Sequence, residues 1–158
     1  MNTETMPGTI ETLDNLESLF NTDLTELAGL PDLKVPPIGR YALGVTVSTK
    51  EEGEHPQVVI KYEIVECLEQ VNTDDTPAKV GDLFTVNYNI DNKYGMGKLE
   101  KDLQVYSTFF NTTNIGEILQ NMEGVQITGT VKRREDKKTL DDDGNPRVYG
   151  TVVNVEIQ

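Results

Sequence analysis

Five of the seven residues in Lys132-Arg133-Arg134-Glu135-Asp136-Lys137-Lys138 are basic, in a chain that is otherwise acidic. Lysine and arginine at this density can neutralise phosphates, and arginine can also stack on bases. The competing account is a solvated hairpin whose cations pair with Glu135, Asp136 and the acids Asp141, Asp142 and Asp143. Lys93, Tyr94, Lys98 and Lys101 form a second cluster around Gly95 and Gly97. A tyrosine on a glycine-rich loop between lysines suits base stacking, which contributes about 1–3 kcal/mol per base. The bland alternative is an ordinary loop. Arg40, Lys61 and Arg147 fall near strand starts or on polar strand faces, where they could line the same groove.

Other chemistries find less support. Gly95-x-Gly97 is no dinucleotide fingerprint, because Glu100 holds the third glycine position and no helix is expected directly after it. Asp141-Asp142-Asp143-Gly144 resembles part of a calcium loop, but the twelfth position would be Gly150, so the bidentate acid is missing. The single His55 sits in a charged turn beside Pro56, and the single Cys67 ends an expected strand as a small apolar filler. The sequence therefore argues for a non-enzyme with no cofactor and no metal.

The chain has 158 residues, enough for one domain with an appended arm. It carries 14 basic and 27 acidic residues, a formal net charge of −13. Bulk charge then does not hold it to duplex DNA or an anionic membrane, and any nucleic-acid binding must come from a local basic patch. No apolar run approaches a membrane span, and the N-terminus has no secretory pattern. One cysteine fits a reducing cytoplasm, and a virion equally well.

The elements that must position these residues follow from periodicity. Residues 1–37 read as an arm and linker. Up to Leu33 there are seven acids and no Lys or Arg, and Val35-Pro36-Pro37 is a stiff connection. Leu13, Leu16, Phe20 and Leu24 recur at helical spacing, either packed on the chain's own domain or binding a partner. From residue 38 the period is two. Strands are expected over 41–47, 58–64, 84–90, 125–131 and 149–157, with a helix over 114–122 capped by Asn114 and stopped by Gly124. Leu103, Tyr106, Phe109 and Phe110 belong to a preceding helical turn, after a flexible loop over 92–98. A mainly β order with a helix between the third and fourth of five strands is the layout of an OB-fold Greek-key barrel. There the basic run lies in the hairpin between strands four and five.

The segment from Ile38-Gly39-Arg40-Tyr41 to Val153-Asn154-Val155-Glu156-Ile157 resembles bacteriophage single-stranded DNA-binding proteins of the OB-fold type. The last hairpin carries most of it, from Thr130-Val131-Lys132-Arg133-Arg134-Glu135-Asp136 through Gly144-Asn145-Pro146-Arg147-Val148-Tyr149. Two features depart from that family. The acidic segment is at the N-terminus rather than the C-terminus, and the outer strand faces offer Thr and Asn instead of aromatics.

The resemblance implies coating of single-stranded DNA in phage replication or recombination, in the cytoplasm of the infected host. The expected DNA contacts are Arg40, Lys93, Lys98, Lys132, Arg133, Arg134, Lys137 and Lys138, with Tyr94 stacking on a base. Leu13, Leu16, Phe20 and Leu24 would contact replication proteins or neighbouring copies. The alternative is a virion structural protein, capsid-decorating or assembly-related, whose arm wraps a neighbour.

Overall fold

A computed structural model describes residues 16–21, 23, 25, 34–51, 53, 55–140 and 144–158. The chain divides into two compact units, Met1–Asp32 and Leu33–Gln158. In the first, α1 (Leu16–Phe20) exposes Leu16 and Phe20, at 67% and 79%. Leu13 and Leu24 lie outside the described residues.

The second unit is built on β1 (Gly39–Lys50), β2 (Gln57–Gln70), β3 (Leu83–Asn89), β4 (Gln126–Leu140) and β5 (Pro146–Ile157). Between β3 and β4 come α2 (Lys93–Phe110) and α3 (Ile115–Met122). The strands form an antiparallel sheet in the order β3-β2-β1-β4-β5. The sheet is not closed by a ladder between its edges, β3 and β5.

Period-two alternation puts Leu43, Val45 and Val47 of β1 opposite Ile64, Tyr62 and Ile60 of β2 on one face, with Tyr41 buried beside them. Phe84, Val86 and Tyr88 of β3 and Ile127 and Val131 of β4 complete it. Helices α2 and α3 close the core with Leu99, Leu103, Tyr106, Ile118 and Met122. The caps of α3 follow the sequence. Asn114 accepts from the Glu117 N–H at 2.9 Å, and Gly124 sits at φ 82° just past the end.

Four sequence expectations change. Residues 93–98 are helical, not a flexible loop. Asn92 caps α2 by accepting from the Gly95 N–H at 2.7 Å. Any Cβ at residue 95 would run into the Asn89 carbonyl, so glycine there lets the first turn sit on the end of β3. The basic run is strand, not hairpin loop: β4 continues through Leu140. Cys67 is exposed rather than a filler. Finally, Pro36 and Pro37 are buried, and the Lys34 N–H donates to the Leu83 carbonyl at 2.8 Å. The segment before β1 thus belongs to the sheet's unit and lies along its β3 edge.

Candidate nucleic-acid interface

The last buried pair of β4 and β5 is Val131 opposite Val152. Beyond it the two strands continue as a ribbon, with Lys132 opposite Thr151, Arg134 opposite Tyr149 and Asp136 opposite Arg147. Charged residues can stay in β4 here because residues 132–135 are exposed on both faces. Cross-strand pairing of unlike groups adds roughly 0.2–1 kcal/mol per pair. The Arg134 guanidinium lies 5.3 Å from the Tyr149 ring centroid.

Residues directly opposite in an antiparallel pair share a face. Lys132, Arg134, Arg147 and Tyr149 are therefore on one side, and Arg133, opposite Gly150, is on the other. A Cβ on Gly150 would meet Val35, which keeps that second face close to the segment before β1. Lys137 and Lys138 sit in the register shift between Asp136 and Leu140.

Among the described residues of the ribbon, Lys132, Arg133, Arg134, Lys137, Lys138 and Arg147 outnumber the acids Glu135 and Asp136, while Asp141, Asp142 and Asp143 lie outside the described residues. Among the described residues, the ion pairs are Arg40–Glu156, His55–Asp91 and Lys98–Asp102. None uses Lys132, Arg133, Arg134, Lys137 or Lys138. Asp136 is occupied locally. It accepts the Lys138 N–H at 3.0 Å and the Thr139 hydroxyl at 3.1 Å. The Lys138 backbone bond comes first among the causes that hold its carboxyl below the usual range. On the inner face, the Tyr41 hydroxyl donates to the Pro37 carbonyl at 2.6 Å. Burial, then the neighbouring Cys67, pushes its phenol up to about 12, against a smaller opposing pull from Arg133.

Arg40 is at this end of the sheet but is committed internally. Its guanidinium donates to Thr130 Oγ1 at 3.0 Å and the Asn154 carbonyl at 3.1 Å, and it pairs with Glu156 at 3.2 Å. It braces the irregular pairing in β5, where Asn154 has φ 52°.

Lys93, Tyr94 and Lys98 are elsewhere. Gly39 pairs with Val131 of β4, whereas Lys50, at the far end of β1, pairs with Gln57, which in turn pairs with Asn89. The N-terminus of α2 follows Asn89, so it lies at the opposite end of the sheet from the ribbon. The intervening strand length is roughly 30 Å at about 3.3 Å per residue. Tyr94 is 92% exposed, and Lys98 is held by Asp102 at 3.4 Å and by the Tyr88 ring at 5.2 Å. The structure therefore does not gather the two basic clusters into one groove. Lys132 and Arg134 come together with Arg147 and with Tyr149, which the sequence-based site set omitted.

A signal for Tyr149 was present in the sequence. A hairpin whose second strand starts near Tyr149 needs a first strand that runs down through Arg134. The strand face of β2 and β3 opposite the core carries Lys61, Glu63, Thr85 and Asn87, with no aromatic among them.

No protein-family model, curated protein or solved structure matches this chain. Among the described residues there is no cluster of three or more metal-ligating side chains, and no helix is long and apolar enough to cross a membrane.

Proposed function

We propose that the chain is a non-enzymatic single-stranded DNA-binding protein of the phage OB-fold type, serving replication or recombination in the infected host. The observation that carries this reading is the cation-rich face of the β4–β5 ribbon: Lys132, Arg134 and Arg147 around Tyr149, with Lys137 and Lys138 toward the tip and Asp136 the one acid on that face among the described residues. In a chain of net charge −13, such a local surface favours association with a polyanion.

The sheet supports the OB assignment in two ways. Its first four strands have the spatial order of a Greek key, with β4 returning through two helices to lie beside β1. The two edges also approach each other, since a Cβ on Gly150 of β5 would lie 3.4 Å from Phe84 of β3. Such an approach of the edges supports a partly open five-stranded barrel as the reading of this unclosed sheet.

Titration of fluorescent oligo(dT) across salt concentrations tests the function. The expected result is a linear fall of log affinity with log salt, with a slope of about −0.7 per phosphate neutralised. No binding at low salt would discard the reading. It would promote a virion structural protein whose N-terminal arm contacts neighbouring copies, a second reading favoured by the exposed Leu16 and Phe20.

A further inference from the structure

Phosphate contacts cannot by themselves tell a single strand from a duplex, because both present phosphates. Selection of single strands needs a group that uses an unpaired base, and an exposed π face is the usual one. Among the described residues the exposed aromatics are Phe20, Tyr94, Phe109 and Tyr149. Phe20 lies in the segment that has no Lys or Arg. Phe109 is engaged edge-on by Phe110, with ring centroids 5.4 Å apart. Tyr94 stands at the opposite end of the sheet from the ribbon, and almost nothing fixes its ring.

Tyr149 differs on each count. It shares a strand face with Lys132, Arg134 and Arg147. Its ring is held from one side by the Arg134 guanidinium at 5.3 Å, yet it remains 40% exposed. A ring already held loses little further freedom when a base lands on it, which favours binding. Residues two apart on a strand are separated by about 7 Å, so Arg147 and Thr151 flank the ring at a step suited to an extended polynucleotide. Charge complementarity supplies the rest.

We propose that Tyr149 is the residue that makes the ribbon select single strands, by stacking an unpaired base on the ring face that Arg134 leaves open. This rests on the nucleic-acid reading above and names the residue that sets its substrate class.

The test compares oligo(dT) with an abasic oligonucleotide of equal length at one low salt concentration. The wild-type chain should bind oligo(dT) about tenfold more tightly than the abasic strand. Tyr149→Leu should erase that preference while leaving abasic affinity within about twofold, and Tyr149→Phe should restore it. Tyr94→Leu should change neither affinity. Because the chain has no tryptophan, Tyr149→Trp also installs a single indole, whose emission can be excited apart from the remaining tyrosines. Its indole should be quenched by oligo(dT) and not by the abasic strand. A preference that survives Tyr149→Leu, equal wild-type binding of both strands, or an unquenched indole overturns the assignment of Tyr149 while the phosphate-binding ribbon stands. Failure to bind either strand removes the nucleic-acid reading itself, and this assignment with it.

Discussion

Lysines surround an exposed tyrosine at both ends of the sheet, under different conditions. At the helical end, Lys98 is tied to Asp102 and lies over Tyr88, whose hydroxyl donates to the same Asp102 at 2.6 Å. Tyr88 packs in turn in the core beside Tyr62 and Tyr106. These groups hold a helix to a sheet. At the ribbon end, Lys132 and Lys137 form no ion pair among the described residues, while Arg134 lies over an exposed ring. The Asp136 carboxyl is lowered first by the Lys138 backbone bond and further by the nearby charges of Arg134 and Lys138. Lys132 and Arg134 share the face turned away from the core side of Val131. Two clusters of similar composition thus differ in what their paired cation does: Lys98 is spent on Asp102 and the buried Tyr88, whereas Arg134 holds the exposed Tyr149, and the sequence alone does not report that.

The largest expected effect separates stability from binding. Leu103→Ala removes a buried side chain of α2 and should cost about 2–5 kcal/mol in urea unfolding. The folded fraction should bind oligo(dT) as before. The combined change Lys132→Ala, Arg134→Ala and Arg147→Ala should do the opposite. It should leave the melting temperature within about 2 °C, weaken oligo(dT) binding on the order of 100-fold at low salt, and flatten the salt slope by about two units. Changing Lys93, Lys98 and Lys101 to Ala should alter affinity less than about threefold. If that helical triple loses as much as the ribbon triple, the two ends do not differ in function. Arg133→Ala sharpens the point, because Arg133 faces away from Lys132 and Arg134. Its effect should also stay within about threefold.

Much of the fold was legible, and the failures have physical causes. Alternation along Tyr41, Leu43 and Val45, and again along Val125, Ile127 and Val131, marks half-buried strands because one face meets the core. Past Val131 the β4 residues 132–135 are exposed on both faces and only Gly150 of β5 is still buried, so the alternation stops while the hydrogen-bond ladder continues. Periodicity cannot see such a strand, and hairpin length can. In α2 the glycines at 95 and 97 masked a helix whose core face, Leu99, Leu103 and Tyr106, has the required spacing of four and three. Gly95 answers a close approach to Asn89 rather than a need for flexibility. The commitment of Arg40 to Thr130, Asn154 and Glu156 could not be read, since it depends on the register of three strands.

Alkaline pH offers a smaller effect that spans both ends. Tyr62, Tyr88 and Tyr106 in the helical half and Tyr41 near the ribbon all have phenols raised by burial first. The folded state therefore favours the neutral phenol. The stabilisation is complete below the unfolded value near pH 10 and is lost as pH rises toward the folded value, about 12 for Tyr41. Melting temperatures followed by circular dichroism should hold steady from pH 8 to 9.5 and then fall. A flat profile to pH 12 would mean that these phenols reach water without unfolding.

The smallest effect concerns the arm. The first 33 residues carry seven acids and no Lys or Arg. Covalent attachment keeps those acids at high effective concentration near any cationic surface of the same chain. If the ribbon is the DNA site, acids and phosphates compete for it. Residues 33–158 form a compact unit of their own, so deleting residues 1–32 should leave a folded protein. At about 0.01 M salt, with a Debye length near 30 Å, that deletion should tighten oligo(dT) binding about three- to tenfold. At about 0.1 M, with a Debye length near 10 Å, the gain should shrink to twofold or less. The two ends predict different backgrounds for this gain. It should vanish in the Lys132, Arg134 and Arg147 triple variant, which has lost the surface under competition. It should persist in the Lys93, Lys98 and Lys101 variant. A gain that disappears in the helical variant instead would place the competing cations at α2. A deletion that abolishes self-association, with no DNA binding before or after, would give the arm the role of an anchor between virion subunits.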